Sequence, residues 1–190
     1  MTLKKKVMLL LTKLLKGVTI MSQWKTITPE EFQQNTFKAI GKDWMLVTAA
    51  NDGKVNTMTA SWGGLGVMWS KNVAFVVIRP QRYTKEFIDA SDTLSLSFYS
   101  EEYRKMLSYM GSHSGKDTDK IKDCNLTVAF DGNTPYFEEA NIVFITKKLY
   151  VQSFDPKCFI APELDEKWYA AKDYHDMYIC EIEKILVKEA

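Results

Sequence analysis

Alternating and continuous apolar runs along the chain predict a protein built mainly from β-strands. Residues 93–99 (TLSLSFY) alternate strictly between apolar and polar, which is typical of a strand with one buried face. Residues 72–79 (NVAFVVIR) are mostly apolar and β-branched, and Pro80 ends that strand. The same criteria predict strands at residues 44–50, 55–62, 140–152 and 177–187. Asp52-Gly53, between the first two of these, is typical of a hairpin turn that needs positive φ.

Three short helices are predicted between the strands. The first covers residues 28–41, with Thr28 as N-cap, Pro29 at the first position and Glu31 completing a capping box. The others cover residues 83–90 and 101–110, and a polar loop follows from 111 to 120, in which Asp117 or Thr118 caps a short helix that runs to Asp123.

About six strands with hairpin signals, no regular βαβ alternation and no internal repeat predict a mainly β fold. The residues after 152 are expected to form a loop with two prolines and an acidic cluster. Strands of this length with short helices between them favour an antiparallel barrel, closed or partly closed.

Composition limits the classes of partner. The chain has 190 residues, which fits one domain or one domain with an extension. Its net charge of +1 gives no electrostatic case for a nucleic-acid partner. The cysteines Cys124, Cys158 and Cys180 are far apart and form no CxxC, and no His/Cys cluster has metal-ligand spacing. We therefore expect free thiols in a reducing cytoplasm and no metal site.

The first 25 residues differ from the rest, with six lysines and no acidic residue. Lys13 and Lys16 interrupt the apolar run, so the segment fits neither a signal peptide nor a membrane span. A surface helix with weak membrane contact is one interpretation. We favour the other: Met21 is the natural start, residues 1–20 are a dispensable extension, and residues 21–190 form the domain.

Four segments together resemble one known family. They are residues 56–63 (NTMTASWG), 79–84 (RPQRYT), 112–120 (SHSGKDTDK), and 173–175 (DYH) with 177–182 (MYICEI). In this order they are similar to the flavin reductase-like, FMN-binding split-barrel family, most closely to its flavoredoxin-type branch, over residues 24–188. The resemblance implies a split barrel of antiparallel Greek-key type with FMN as cofactor.

The resemblance assigns the first segment to the isoalloxazine ring. Small residues let the backbone approach a flat ligand closely, Gly63 and Gly64 continue that approach, and the indole of Trp62 packs beside the ring. The alternative is an edge strand whose hydroxyls face water and whose tryptophan fills the barrel. The implied FMN-binding residues here are Asn56, Thr57, Met58, Thr59, Ala60, Ser61 and Trp62.

The second and third segments are assigned to the phosphate and the reduced ring. Guanidinium forks, a hydroxyl and the free N–H groups of a helix start are suited to an anion. The alternative is a pair of solvated arginines and a loop of solvated lysines, which we favour for Lys116; His113 is expected at the surface. The implied residues are Arg79, Arg82, Tyr83, Thr84, Ser112, Ser114, Gly115, Lys116 and Lys120.

In the fourth segment, His175 matches a family position that lies beside the exposed face of the flavin. There it would orient nicotinamide or substrate, whereas the alternative is a structural strand histidine. Because the chain has no GxGxxG or P-loop, NAD(P)H would have to stack on the flavin.

The resemblance thus implies a cytoplasmic, homodimeric FMN oxidoreductase without a membrane partner. It would take electrons from NAD(P)H or a redox partner protein and pass them to free flavin or another acceptor. The alternatives are a non-catalytic FMN carrier or redox sensor, and a barrel that binds another planar ligand such as haem.

Overall fold

The computed structural model describes residues 24–189, so the predicted extension at residues 1–20 lies outside the described residues. Ten strands form two antiparallel sheets. They are β1 (Trp24–Ile27), β2 (Met45–Asn51), β3 (Lys54–Ala60), β4 (Gly63–Met68), β5 (Lys71–Ile78), β6 (Thr93–Phe98), β7 (Val128–Asp131), β8 (Thr134–Phe137), β9 (Ile142–Ser153) and β10 (Asp176–Lys188). The mainly β prediction is confirmed. Both ends of each of the six predicted strands lie within two residues of the ends of an observed strand.

The order of the large sheet explains why it curls. Its strands run β3-β2-β6-β9-β10-β5-β4, with β1 paired to β10. The two end strands, β3 and β4, are consecutive in the chain and are joined by Ser61 and Trp62 alone. A sheet whose opposite ends are linked by two residues must bend back on itself, which gives the antiparallel barrel with Greek-key connections.

Two apolar clusters hold this arrangement together. Val47, Leu96, Phe144 and Tyr178 belong to the cluster inside the barrel. The second lies on the outer side of β6 and β9, where Leu46, Leu107 and Phe137 pack. Because both faces of β6 are covered, the hydroxyl of Ser95 is buried and donates to the carbonyl of Pro135 at 2.6 Å.

In residues 24–189, five α-helices, three turns of 3-10 helix and one π-helix lie between the strands. The α-helices are α1 (Thr36–Lys38), α2 (Tyr83–Ala90), α3 (Arg104–Ser112), α4 (Lys120–Asp123) and α5 (Pro162–Trp168). Turns of 3-10 helix cover Pro29–Glu31, Glu101–Tyr103 and Pro156–Cys158, and a π-helix covers Ala39–Asp43. Within residues 24–189, none of the helices has the length and apolar character needed to cross a membrane.

Several predicted elements were wrong. The helix predicted at 28–41 is broken: the backbone N–H of Thr28 donates to Glu31 at 2.7 Å, but Phe32 is extended and only short turns follow. The loop predicted after residue 152 contains α5. Asp119 caps α4, rather than Asp117 or Thr118.

The missed strands are β1, β4, β7 and β8. β4 was missed because three of its six residues are glycine, which has low β-propensity. Pairing with β5 makes it a strand.

Candidate functional site

A pocket of about 380 Å³ opens at the seam where β3 leads into β4. Residues 58–62 form one wall, and the ends of β5 and β10 and the end of α5 supply the others. The remaining lining residues are Val77, Arg79, Arg82, Trp168 and His175. The pocket therefore combines strand backbone, two arginines and aromatic rings.

Aromatic side chains make the outer rim of this seam pocket. Trp62 is 37% exposed, and its ring meets that of Trp168 edge to face, with centroids 4.9 Å apart. The centroid of the His175 ring lies 5.2 Å from that of Trp62. Trp62 thus stands at the surface of the seam instead of filling the barrel, which leaves its ring available to a flat ligand.

Arg79 fastens the α5 segment to the barrel. Its guanidinium forms an ion pair with Asp173 and donates through Nη2 to the carbonyl of Trp168 at 2.9 Å. Gln81 also donates to Asp173, at 2.7 Å. The hydrogen bond from Gln81, followed by that from Arg79, lowers the pKa of Asp173. Because Arg79 already has an anionic partner, its charge is not free for a phosphate.

His175 is held from behind by Tyr169, whose phenol oxygen lies 2.7 Å from Nδ1. The side chain is buried, and this burial, with the positive charge of Arg79 nearby, lowers the pKa of His175 to about 4. At neutral pH the imidazole is therefore uncharged. It can donate or accept one proton in a hydrogen bond but does not supply charge to the pocket.

Arg82 and Lys120 meet at the C-terminal end of α3. Nη1 of Arg82 donates to the carbonyl of Gly111 at 2.7 Å. The Nζ of Lys120 donates to the carbonyls of Met110 and His113, both at 3.1 Å. These carbonyls lie at the negative end of the helix dipole, which favours cations. Neither cation is paired with a carboxylate anywhere in residues 24–189.

The environment of Lys120 is unusual for a lysine. The side chain is only 3% exposed. Its burial, and then the positive charge of Arg82, lower its pKa to about 8. Two positive groups are therefore held close together without a counter-ion of their own.

Asn56 and Thr84 join β3 to the first turn of α2. Nδ2 of Asn56 donates to the hydroxyl of Thr84 at 3.1 Å, and both side chains are buried. Gly115 passes so close that a Cβ there would lie 2.4 Å from Oδ1 of Asn56. A second cavity, of about 360 Å³, opens here and is lined by Val55, Asn56 and residues 115–121.

Some of the residues implied by the resemblance point elsewhere. The hydroxyl of Thr57 is buried and donates to the carbonyl of Val47 at 3.1 Å, and that of Thr59 donates to the carbonyl of Leu107 in α3. Lys116 forms an exposed ion pair with Glu86 at 2.7 Å. Ser112 donates to the carbonyl of Ser108 at 2.9 Å, whereas Ser114 accepts from the amide of Lys116 at 3.1 Å.

Met58 and Ala60 contribute side chains to the barrel core. Only backbone and small side chains of this strand therefore remain for a ligand at the seam. The Tyr83 ring lies 4.9 Å from the Nζ of Lys116 and packs edge to face on Phe87.

The glycines after Trp62 serve the sheet and not the pocket, contrary to our expectation. A Cβ on Gly63 would lie 2.4 Å from the carbonyl oxygen of Phe75. A Cβ on Gly64 would lie 2.5 Å from the Phe75 ring. Gly63 needs glycine because the backbone of β5 occupies the space and because its φ is +155°, whereas at Gly64 the space is filled by the Phe75 ring.

Sequence reasoning missed Val77, Trp168 and Tyr169. Residues 162–168 (PELDEKW) carry a signal that was available, since a proline followed by acidic residues is typical of the first turn of a helix. Nothing in the sequence places that helix next to Trp62.

The flavin reductase like domain model matches residues 37–190 of this chain. The chain belongs to the flavin reductase-like family. The match includes the seam pocket, the Arg82–Lys120 pair and His175, so every element of the site lies in the family domain. No curated protein sequence matches this chain.

Several solved structures share the fold of this chain. An FMN-binding domain of a flavin reductases-like enzyme from Shewanella baltica OS155 is 16% identical, with 89% of this chain and 79% of that chain covered and a TM-score of 0.65. Flavoredoxin of Desulfovibrio vulgaris (Miyazaki F) is 21% identical, with 86% and 78% covered and a TM-score of 0.62.

The FMN-binding protein from Thermus thermophilus with bound p-hydroxybenzaldehyde is 18% identical, with 87% and 83% covered and a TM-score of 0.63. At these identities the likeness shows the split-barrel fold.

Proposed function

We propose that this flavin reductase-like protein binds FMN with its phosphate at Arg82 and Lys120. The observation that carries the proposal is that these two cations lie together without a carboxylate partner in the described chain. Keeping two like charges close is unfavourable unless an anion joins them. A phosphate dianion fits, and Arg82 has further N–H donors beyond the one used by Gly111.

The neighbouring groups suit the rest of the phosphate site. Thr84 is the second residue of α2, and the N–H groups of a helix's first turn have no acceptor within the helix. They can donate hydrogen bonds to an anion. Asn56 donates to Thr84, Gly115 lies against Asn56, and both fit the ribityl chain. Arg79 does not fit the phosphate role, because Asp173 and the carbonyl of Trp168 hold it.

The seam pocket suits the isoalloxazine ring. From residue 56 to residue 62 an extended chain spans about 20 Å, so one strand can contact both ends of an elongated ligand. The backbone and small side chains of residues 59–61 line the pocket, and Trp62 offers an aromatic face. Structural neighbours described as FMN-binding proteins and flavoredoxins have the same fold, which supports FMN as the ligand.

Bound FMN would supply hydride and single-electron transfer, and we propose an NAD(P)H-dependent or partner-protein-dependent oxidoreductase. The chain's own residues bind and orient. Trp62 and Trp168 limit water at the rim of the pocket, and neutral His175 presents a ring edge to a substrate. We place the activity in the cytoplasm and the functional domain in residues 21–190.

We propose further that the protein is a homodimer. Apolar side chains are exposed on the outer side of the barrel, where Phe75, Tyr150 and Val151 are each at least 37% accessible. Trp69 and Tyr150 lie side by side with centroids 6.2 Å apart. Contiguous exposed apolar surface of this kind is typical of an interface between proteins.

The absorbance spectrum of the purified protein tests the proposal, followed by steady-state oxidation of NADH and NADPH with and without added FMN, FAD or riboflavin. We expect a flavin spectrum and turnover of at least one nicotinamide. Bound flavin without turnover by either nicotinamide or a partner would leave a non-catalytic FMN carrier or redox sensor. A haem spectrum, or no flavin uptake by the purified protein, would refute the FMN proposal.

A further inference from the structure

The hydrogen bond between Tyr169 and His175 fixes where the histidine carries its proton. Tyr169 is 3% exposed, and in residues 24–189 the only hydrogen-bonding partner of its phenol oxygen is Nδ1 of His175, at 2.7 Å. If the phenol oxygen accepted a hydrogen bond from an Nδ1–H group, its own O–H would be buried without an acceptor. Such a buried unsatisfied group is strongly disfavoured. Tyr169 therefore donates, and Nδ1 accepts.

The charges around His175 keep it neutral while it accepts this bond. Arg79 and Arg82 oppose a positive imidazole, whereas Asp173 and Asp176 favour one, and burial opposes it most. The result is a pKa of about 4. Burial also raises the pKa of Tyr169, so the phenol keeps its proton. A neutral imidazole whose Nδ1 accepts must carry its proton on Nε2.

The Nε2–H group is left for a ligand. His175 lines the seam pocket beside Trp62 and Trp168, and Nε2 has no hydrogen-bond acceptor among the residues that the structure describes. Tyr169 lies behind the ring, on the Nδ1 edge. The pocket therefore contains one neutral donor in a fixed direction, beside the indole of Trp62.

We propose that Tyr169 is a positioning residue that fixes His175 as a neutral Nε2–H donor to the carbonyl oxygen of a flat, uncharged, conjugated ligand at Trp62. This deepens the proposed function and rests on it, because the ligand would share the seam pocket with the flavin. Aromatic walls favour a flat ligand. A neutral N–H donor favours ligands that carry a hydrogen-bond acceptor over ligands that lack one. Quinones, unsaturated ketones and aromatic aldehydes have this chemistry.

The first experiment determines which ring nitrogen of His175 carries the proton. Long-range ¹H–¹⁵N NMR of the ¹⁵N-labelled full chain distinguishes the protonated ring nitrogen from the bare one, and a His113→Gln variant assigns the two histidines. We expect His175 to be protonated on Nε2 alone in the wild-type protein, and to become a mixture of tautomers in Tyr169→Phe. A proton on Nδ1 in the wild-type protein would overturn the inference.

Tyr174→Phe is the matched control. Tyr174 stacks on Tyr169, with centroids 4.9 Å apart, but its hydroxyl donates to Asp165 instead of His175. It therefore reports a general loosening of the aromatic cluster. We expect Tyr174→Phe to retain the wild-type His175 tautomer; the same mixture in both variants would show that packing, and not the Tyr169 hydroxyl, sets it.

The second experiment measures whether the pocket prefers a ligand that carries a carbonyl group. At mildly acidic pH, where both phenols keep their protons, the FMN-loaded protein is titrated calorimetrically with p-hydroxybenzaldehyde and with p-cresol, which replaces the aldehyde by a methyl group. A neutral hydrogen bond corresponds to a preference of roughly 2- to 12-fold for the aldehyde. We expect that preference in the wild-type protein and in Tyr174→Phe, and its loss in His175→Leu. In Tyr169→Phe we expect a smaller preference, reduced in proportion to the Nε2–H tautomer that the NMR experiment finds.

The outcomes separate this inference from the FMN proposal. Equal affinity for aldehyde and cresol in a protein that binds FMN would overturn the inference alone. A loss of FMN affinity in Tyr169→Phe, with the aldehyde preference intact, would show that the donor serves the flavin's own carbonyls, and would also overturn it. Failure to bind FMN refutes the proposed function, while the NMR result still tests Tyr169. Displacement of the aldehyde by a redox-inactive NADH analogue, whose nicotinamide ring is uncharged, would identify a nicotinamide carboxamide as the natural source of the carbonyl.

Discussion

The phosphate assignment makes the sharpest prediction, because FMN and riboflavin differ only in that group. Arg82→Ala removes one of the two cations at the end of α3 and leaves Lys120 in place. A hydrogen bond to a charged group contributes about 1.5–3 kcal/mol, and charge-assisted bonds are the stronger kind. We therefore expect FMN affinity to fall about tenfold to a hundredfold and riboflavin affinity to remain nearly constant.

Titration of the apoprotein with each flavin, followed by quenching of flavin fluorescence, measures both affinities. Arg82 also donates to Gly111, so its removal can loosen the end of α3. The riboflavin titration detects this, because such loosening would weaken both flavins. Equal losses for FMN and riboflavin would mean that residues 79–84 form an ordinary turn and that the phosphate lies elsewhere.

Two control variants test whether the effect of Arg82→Ala is specific to the phosphate. Lys116→Ala removes a nearby positive charge that is exposed and paired with Glu86. Exposed ion pairs contribute about 0–1 kcal/mol, so this variant should change neither affinity much. Trp62→Ala removes an aromatic face of the seam pocket, so it should weaken FMN and riboflavin alike. A selective loss of FMN in Lys116→Ala would move the phosphate toward the 115–121 loop.

Three further predictions concern pH, the extension and assembly. FMN binding should be strongest between about pH 6, above which the phosphate is a dianion, and about pH 8, below which Lys120 is charged, and should weaken above pH 8 by up to tenfold per pH unit; a Lys120→Met variant that kept the same decline above pH 8 would contradict this. A chain that starts at Met21 should retain the flavin content and melting temperature of the full chain, and a loss of FMN on truncation would show that residues 1–20 contribute to the site. Light scattering should show a dimer at micromolar concentration, which Tyr150→Glu weakens; a wild-type monomer that still binds FMN would contradict the interface.

The strands were predictable because their signals are local. In β6, β9 and β10 the apolar periodicity and the branched residues specify an extended chain by themselves. Where the local signal conflicts with the fold, prediction failed. Glycine-rich β4 is a strand only because β5 supplies its hydrogen bonds. The helix start at Thr28 holds its first turn, but Phe32 is extended and packs on Phe144 in the barrel, and Asn35 caps a separate short helix.

The candidate site was only partly predictable, for a physical reason. Arg79 and Arg82 lie three residues apart in the sequence, and both are candidates for the phosphate site. Their roles differ because Asp173, far along the chain, pairs with one of them and leaves the other without an anion. Likewise Lys116 and Lys120 belong to the same polar loop, yet one is exposed and paired, and the other is buried beside Arg82.

The sequence by itself determined the strands, the polar loops and the set of residue types that can hold a flat, anionic ligand, since propensity and periodicity act between near neighbours. Only the tertiary structure decided which of those residues share a site. The joining of β3 to β4 by two residues places Trp62 at the seam, and α5 brings Tyr169 behind His175. These contacts depend on which distant groups are left without partners once the barrel has formed, and residue order does not encode that locally.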